Sequence, residues 1–278
     1  RTHVGATASI PLPGTPAPTP FPASAAPASV PHGTSSTLGA TGLNAGATGT
    51  VVFTSGATTL CTATLPATTC STSTALAAGV YAVTATYSGD GSYAGSTAST
   101  QLTVTQVATS FTVAPAPASV PFGTNPTLTE TGLPADATGT VLYMSGGTGL
   151  CTAILPTTSC APTTFFGVGT YPVTATYSGD VNYTGSTATT TFSVTLATTS
   201  TTVTSSLNPA EPDQTVVYTA TVVSNPGGGT IAFTDNGVPI AGCTAVAVNA
   251  LTGRATCTTT SPQTGPPLIA AAFNGTPN

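Results

Sequence analysis

The cysteines are the residues whose spacing could carry chemistry, because they fall as three close pairs. Such pairs can be metal ligands, free core thiols or disulfides. A metal site would need CxxC-type clusters or nearby histidines, and neither accompanies the cysteines. The first pair recurs 90 residues later as the second, which favours pairing within each segment. The sequence therefore predicts three local disulfides: Cys61–Cys70, Cys151–Cys160 and Cys243–Cys257.

Persistent disulfides indicate an oxidising compartment, so we expect an extracellular or cell-surface location. Each closed loop of about ten residues is expected to contribute roughly 2.5–3 kcal/mol. That contribution matters for small domains whose cores consist mainly of Val, Ala and Thr.

Histidines and carboxylates are too sparse for a catalytic constellation. His3 and His32 are the two histidines, and no GxSxG motif precedes a predicted helix. We therefore expect no catalytic residue, no enzyme activity, no cofactor and no metal. Asp90 and Asp180 lie in SGD turns; calcium needs several oxygens, so an Asx-type turn is the favoured interpretation over a calcium site. The other acidic residues are predicted to lie on the solvent-exposed surface: Glu130, Asp136, Glu211, Asp213 and Asp235.

The charge content excludes two classes of partner. Charged residues make up 3% of the 278 residues, and the basic ones are two arginines, Arg1 and Arg254. Nucleic-acid binding needs many Lys or Arg side chains to neutralise phosphates, and attraction to anionic membranes needs the same. No segment is apolar enough over a sufficient length to span a bilayer. We expect neither nucleic-acid binding nor membrane insertion.

A repeat of 90 residues organises the chain. Residues 79–105 read GVYAVTATYSGDGSYAGSTASTQLTVT, and residues 169–195 read GTYPVTATYSGDVNYTGSTATTTFSVT. A repeat of this size is one small domain rather than a solenoid unit. In the first repeat, short alternating runs separated by Gly-rich turns predict strands at 33–43, 50–54, 60–65, 69–74, 81–87 and 97–105. The cysteine-bearing runs, 60–65 and 69–74, are predicted to form one hairpin.

Short strands with frequent turns and no helical periodicity indicate an all-β protein of tandem antiparallel sandwiches. The pattern G-x-Y-x-V at residues 79–83 is similar to the tyrosine corner of immunoglobulin-type sandwiches. It assigns Tyr81 and Tyr171 as structural corner residues. Val83 stands where the second cysteine of the immunoglobulin inter-sheet bridge would be.

These motifs resemble the bacterial Ig-like repeat domains found in tandem on secreted and surface proteins. TGTVVF, GVYAVTATYSGDGSYAGSTAS and the YSGDxxYxGST motif carry the resemblance, which covers roughly residues 20–197. It implies an immunoglobulin-like sandwich, an extracellular location and a spacer, stalk or adhesive role. It transfers no catalytic residue, and the paired cysteines are an addition to the usual pattern.

The two ends of the chain depart from the repeat. Residues 198–278 begin a third repeat, but nothing in them corresponds to YAGSTASTQLTVT, so we expect this repeat to lack its last strand. At the other end, Val4, Ala6, Ala8 and Ile10 alternate with small or polar residues before a proline-rich segment. That alternation predicts a half-buried strand on an extended tether. The expected organisation is an extended strand and linker at 1–20, then Ig-like domains at 21–107 (the first repeat), 108–197 (the second repeat) and 198–278 (the third repeat).

These features predict a non-enzymatic extracellular structural protein. The N-terminal strand of one copy would complete the third repeat of the next, giving a head-to-tail homopolymer that forms a surface filament or stalk. The alternatives are an adhesin or carbohydrate-binding module that recognises cell-surface glycans or neighbouring cells, and a spacer fragment of a larger secreted protein. Asn182 and Asn274 lie in N-x-T sequences and are candidate N-glycosylation sites.

Overall fold

The computed structural model describes residues 14–223, 228–260 and 268–276, and within these ranges it contains strands and no helix. The strands form because β-branched and small residues alternate along the chain. In residues 79–87, Val83, Ala85 and Tyr87 are buried, whereas the residues between them are exposed. This alternation is what a strand with one face on a core requires. The prediction of an all-β fold built from sandwiches is confirmed.

The first repeat is a sandwich of a three-stranded and a five-stranded sheet, with orders β1-β3-β6 and β2-β8-β7-β4-β5. All pairings are antiparallel except that between β2 and β8, which is parallel. The core between the sheets includes Leu38, Phe53 and Leu102, which are fully buried. The strands are β1 (Ala23–Ala26), β2 (Ser29–Pro31), β3 (Thr37–Ala40), β4 (Thr50–Ser55), β5 (Thr58–Thr64), β6 (Thr69–Ser71), β7 (Gly79–Tyr87) and β8 (Ser96–Thr105).

The prediction of one cysteine-bearing hairpin is wrong. β5 pairs with β4 in the five-stranded sheet, whereas β6 pairs with β3 in the other sheet. The chain therefore crosses from one sheet to the other between the two cysteines. The predicted strand at 33–43 is also shorter, because Gly33 adopts a positive φ of 85° and β3 begins only at Thr37.

The second repeat has the same two-sheet arrangement, with orders β10-β16-β15-β12-β13 and β14-β11-β9. The pairing of β10 with β16 is again parallel. The strands are β9 (Thr112–Ala116), β10 (Ser119–Pro121), β11 (Thr127–Thr131), β12 (Thr140–Ser145), β13 (Thr148–Ile154), β14 (Ser159–Cys160), β15 (Gly169–Tyr177) and β16 (Ser186–Thr195).

The third repeat has its own hydrophobic core, which includes Val216, Ile231 and Phe233. One sheet has the order β17-β18-β22; in the other, β19 pairs with β20, β21 and β23. No strand of its described residues occupies the places that β2 and β8 hold in the first repeat. The strands are β17 (Ser200–Ser205), β18 (Thr215–Val223), β19 (Thr230–Asp235), β20 (Val238–Pro239), β21 (Val246–Ala247), β22 (Arg254–Thr260) and β23 (Ile269–Asn274).

The chain divides into two compact units. The first unit contains the first repeat together with two loops of the second, residues 133–140 and 177–186. The second unit contains the rest of the second repeat and the third repeat.

Candidate functional site

The structure contains three disulfides, and each joins the two cysteines that the spacing predicts. The Cα atoms of the pairs lie 5.9, 6.0 and 5.6 Å apart. Cys61 lies on β5 and Cys70 on β6, so this disulfide connects the edge strands of the two sheets. Cys151 and Cys160 repeat that arrangement on β13 and β14. These two disulfides therefore link the two sheets at their edges, instead of bridging a hairpin within one sheet.

The corner tyrosines each donate a hydrogen bond to a backbone carbonyl four residues earlier. Tyr81 Oη donates to the Ala77 carbonyl oxygen at 2.8 Å, and Tyr171 Oη donates to that of Gly167 at 2.8 Å. The bond fixes the turn that leads into β7 or β15. The corresponding position of the third repeat, near Pro267, lies outside the described residues.

Replacing Tyr81 with Phe should lower the free energy of unfolding by about 1 kcal/mol, because one intramolecular hydrogen bond is lost while the ring packing is kept. Urea denaturation followed by circular dichroism measures the change. Tyr93→Phe is the matched control, since Tyr93 is half-buried in the same repeat and its hydroxyl makes no hydrogen bond of this kind in the structure. Equal stability of the two variants would contradict a role for the corner bond.

The SGD turns are closed by their aspartates. Asp180 Oδ1 accepts backbone N–H bonds from Asn182 at 2.8 Å and from Tyr183 at 2.9 Å, which is an Asx-type turn. Its Oδ2 accepts from the Thr138 backbone N–H at 2.7 Å and from the Tyr177 hydroxyl at 3.2 Å. Asp90 makes the same set of bonds in the first repeat. The carboxylate thus joins its own turn to a neighbouring loop.

These bonds shift the pKa values of the groups involved. Partial burial opposes ionisation of Asp180, but hydrogen bonds from Thr138 and Asn182 outweigh it and hold the pKa of the carboxyl below its usual value. Burial and the adjacent Asp180 charge raise the pKa of Tyr177 to about 12. Both shifts keep the carboxylate charged and the phenol protonated, which is the state that the hydrogen bonds require.

A second polar cluster lies inside the first compact unit and includes the histidine of the first repeat. His32 Nδ1 donates to the Leu76 carbonyl oxygen at 2.8 Å, and His32 Nε2 lies 3.6 Å from Asp136 Oδ2. Tyr183 stacks edge-on against the His32 ring and donates a 2.8 Å hydrogen bond to Asp136 Oδ1. That bond, with a smaller contribution from His32, holds the pKa of Asp136 below its usual value. The cluster attaches loops of the second repeat to the first repeat.

The expectation that all the scattered acidic residues lie on the surface is wrong for one of them. Glu130 lies on β11 and is only 3% exposed. It lies in the core near Tyr143, whose pKa is raised to about 12 by burial and by the Glu130 charge. The first repeat has Ala40 and Phe53 at the corresponding positions, so the comparison of the two repeats was the available sequence signal.

The candidate glycosylation sites differ in their surroundings. Asn182 is half-buried, and its Oδ1 accepts a 3.0 Å hydrogen bond from the Ala78 backbone N–H. Asn274 is exposed at the end of β23. The predicted donor strand, with Val4, Ala6, Ala8 and Ile10, lies outside the described residues.

The third repeat has an open sheet edge along β23. In the first repeat, β7 has β4 on one side and β8 on the other. In the third repeat, β23 pairs with β19, and no described strand pairs with its other side. The backbone N–H and C=O groups on that side form a row suited to pairing with a further strand.

The side chains along this edge are less covered than their counterparts. The pairing registers place Phe273 opposite Ile231 and Ala271 opposite Phe233, where the first repeat has Tyr87 opposite Val51 and Ala85 opposite Phe53. The three corresponding side chains of β7 and of β15 are fully buried, with at most 1% exposed. The inward residues of β23 are only half-buried: Ile269, Ala271 and Phe273. The sequence indicated a missing strand, but this uncovered row became visible only in the structure.

Within the described ranges, no group of three or more His, Cys, Asp or Glu side chains could hold a metal ion. The same ranges contain no helix with the length and apolar character needed to cross a membrane.

The sequence matches the family described as "Bacterial Ig-like domain (group 3)" twice, at residues 23–105 and 112–196. Together the two matches cover more than half of the chain. The chain belongs to this family of bacterial Ig-like domains. The predicted resemblance is thereby confirmed. No curated protein sequence matches this bacterial Ig-like chain.

Several solved structures are similar to this bacterial Ig-like chain. The fibronectin(III)-like modules of Clostridium thermocellum CbhA are 15% identical, with 62% of this chain and 94% of that chain covered and a TM-score of 0.27. The N-terminal eight Ig domains of Down Syndrome Cell Adhesion Molecule are 15% identical, with 82% and 34% covered and a TM-score of 0.34. Bacteroides ovatus SGBP-B is 13% identical, with 90% and 60% covered and a TM-score of 0.23. Likeness at these values carries no functional argument.

Membership in the bacterial Ig-like family and the three disulfides together indicate an extracellular or surface module. The Ig-like fold is typically non-catalytic and serves structural or binding roles.

Proposed function

We propose that this protein is the subunit of an extracellular filament or stalk, and that its copies join head-to-tail. The N-terminal strand of one copy would complete the third repeat of the next. The observation that carries the proposal is the open edge of β23, where Ile269, Ala271 and Phe273 stay half-buried although their counterparts in two other repeats are fully buried. Exposed apolar rows beside an unpaired strand edge favour the addition of a strand.

The proposed donor segment has the alternating apolar side chains that a strand paired with β23 would need. Val4, Ala6, Ala8 and Ile10 would place apolar side chains on one face at the period of a strand. A proline-rich segment follows them and leads into the first repeat. Donor and acceptor are different segments of the chain, so the contact is heterologous and generates an open filament when it does not close into a ring.

The remaining features suit a mechanical role. In the first two repeats a disulfide links the two sheets at an edge, so the sheets cannot separate fully without breaking a covalent bond. The polar cluster of His32, Asp136 and Tyr183 attaches loops of the second repeat to the first. A chain with 3% charged residues also has little electrostatic repulsion between copies.

Deletion of residues 1–10 is expected to abolish assembly, because it removes the donor and leaves the acceptor edge intact. Negative-stain electron microscopy and sedimentation velocity measure the loss of filaments. A finer test replaces one inward donor residue, Ala8→Asp, and compares it with the outward neighbour, Ser9→Asp. We expect Ala8→Asp to prevent assembly, since it would bury an unpaired carboxylate, and Ser9→Asp to assemble.

Two results would contradict the proposal. Filaments that form normally after deletion of residues 1–10 would show that the segment is not the donor. A full chain that stays monomeric at every concentration tested would show that its copies do not join. The second result would favour a spacer whose third repeat is completed by another chain or by a continuation of its own.

A further inference from the structure

The segment before the first repeat contacts that repeat in the same way as the linker between the first and second repeats contacts the second repeat. Ala17 forms a parallel bridge with Tyr93, and Val107 forms a parallel bridge with Tyr183, 90 residues further on. In each bridge the linker residue donates its N–H to one carbonyl and accepts an N–H at its own carbonyl, at 2.9 to 3.0 Å. All of these residues lie in the first compact unit. The repeat therefore continues structurally into the residues that precede the first domain.

The residues before Val107 are β8, the last strand of the first repeat. A step of 90 residues back from β8 leads to residues 6–15, directly before the segment that carries Ala17. Residues 5–15 read GATASIPLPGT, and residues 95–105 read GSTASTQLTVT, with identical residues at six of the eleven positions. A segment with the sequence of a last strand thus stands at the N-terminus, and the described residues of the third repeat contain every strand type except that one and the β2 type.

We propose that residues 5–15 are a displaced last strand, and that they pair with β23 in the third repeat of a second copy in the register that β8 uses with β7. This inference rests on the proposed function and specifies its contact. In the first repeat, Tyr87 pairs with Ser96, Ala85 with Ala98 and Val83 with Thr100. The same register places Phe273 opposite Ala6, Ala271 opposite Ala8 and Ile269 opposite Ile10. Each half-buried side chain of β23 then gains an apolar neighbour on its own face of the sheet.

The prolines of the segment are compatible with this register. Pro11 and Pro13 correspond to Gln101 and Thr103. The Thr103 N–H donates to the Ala28 carbonyl oxygen, on the side of β8 that faces away from β7. Because alternate residues of a strand direct their N–H groups to the same side, Gln101 shares this orientation. The missing N–H groups of both prolines would therefore fall on the outer side of the donated strand, where proline is tolerated, and a shift of one residue would turn them towards β23.

Cysteine cross-linking between copies tests the register. Thr7 and Ala272 correspond to Thr97 and Thr86, which are paired in the first repeat and point away from its core. This is a non-hydrogen-bonded pair, in which the two Cα atoms are closest. One protein carries T7C and a second carries A272C, so a disulfide between them can form only between two chains. The matched control replaces A272C with A270C, two residues along the same strand and also exposed.

Under mild oxidation we expect the T7C and A272C proteins to give about tenfold more mixed dimer than the T7C and A270C proteins, because diagonal neighbours lie too far apart for an unstrained disulfide. Non-reducing electrophoresis of size-tagged chains measures the yield.

More cross-linking with A270C would overturn the register while leaving strand donation standing. A disulfide that forms within the T7C/A272C double variant, and not between singly substituted chains, would overturn the assignment of a second copy as partner. Absence of every cross-link, together with filaments that survive deletion of residues 1–10, would overturn the proposed function as well.

Discussion

Replacing both cysteines of the third repeat with alanine is expected to open that repeat, with a loss of about 3 kcal/mol in its free energy of unfolding. The disulfide joins residues separated by 14 positions, and a loop of about 15 residues contributes roughly this amount on the chain-entropy model. Both sulfurs are also buried in the core of the repeat, since Cys243 is 4% and Cys257 1% exposed. Because of the open edge of β23, we expect the third repeat to have the lowest free energy of unfolding of the three.

Tryptic cleavage after Arg254 reports this opening locally. The chain has two basic cleavage points, Arg1 and Arg254, and Arg254 lies on β22 beside β18. A paired strand is cleaved only when it opens, so the cleavage rate follows the population of the open form. A loss of about 3 kcal/mol should therefore raise the rate about a hundredfold.

The matched control is replacement of Cys61 and Cys70 with alanine. This pair closes a shorter loop, with a separation of 9, and lies in the first repeat. It should lower the stability of that repeat by about 2.5 kcal/mol and leave cleavage after Arg254 unchanged. A cleavage rate that rises equally in both variants would show that the repeats do not unfold separately. No rise in the third-repeat variant would show that its disulfide does not limit opening.

Replacing Gly179 with alanine is expected to destabilise the second repeat by about 3 kcal/mol. Gly179 has a φ of 73°, a left-handed conformation that costs a residue with a Cβ about 1–2 kcal/mol. A Cβ at this position would also lie 2.7 Å from the Gly185 nitrogen and 2.9 Å from the Tyr183 carbonyl oxygen. Both neighbours are backbone atoms, so relief of the overlap must distort the turn that Asp180 closes.

Gly146 provides a control that separates the two contributions. It also has a positive φ, 55°, but a Cβ there would meet no atom within 4 Å. Gly146→Ala should therefore cost only the conformational part, about 1–2 kcal/mol. Urea denaturation monitored by circular dichroism gives both values. Equal costs would mean that the turn around Gly179 relaxes without losing its hydrogen bonds.

The turn at Gly179 shows what a local sequence pattern can predict and what it cannot. SGD predicted a turn with an Asx-type aspartate, and the structure has one at Asp180 and at Asp90. The second role of these carboxylates, accepting from Thr138 or Thr48 across a loop, was not predictable. It joins residues about 40 positions apart, and only the folded chain brings them together.

The cluster of His32, Asp136 and Tyr183 was also not predictable from local sequence, because its residues are even farther apart along the chain. Each of the three is ordinary in its local sequence, and their contacts depend on how loops of two repeats meet within one compact unit. The one available signal was that the repeat does not preserve two of the three residues: Phe122 stands 90 residues after His32, and Gly46 stands 90 residues before Asp136. Positions at which the two repeats differ are therefore the ones to inspect for contacts that occur in only one of them.

The sequence by itself determined the all-β class, the 90-residue repeat, the corner tyrosines and the cysteine pairs, because each depends on periodicity or on residues close along the chain. Only the tertiary structure decided that Cys61 and Cys70 lie on different sheets, that Glu130 is buried and that Ile269, Ala271 and Phe273 form an uncovered row. These facts depend on which strands pair across large sequence separations. Pairing of that kind is set by the burial of whole faces against each other, and no local pattern records it.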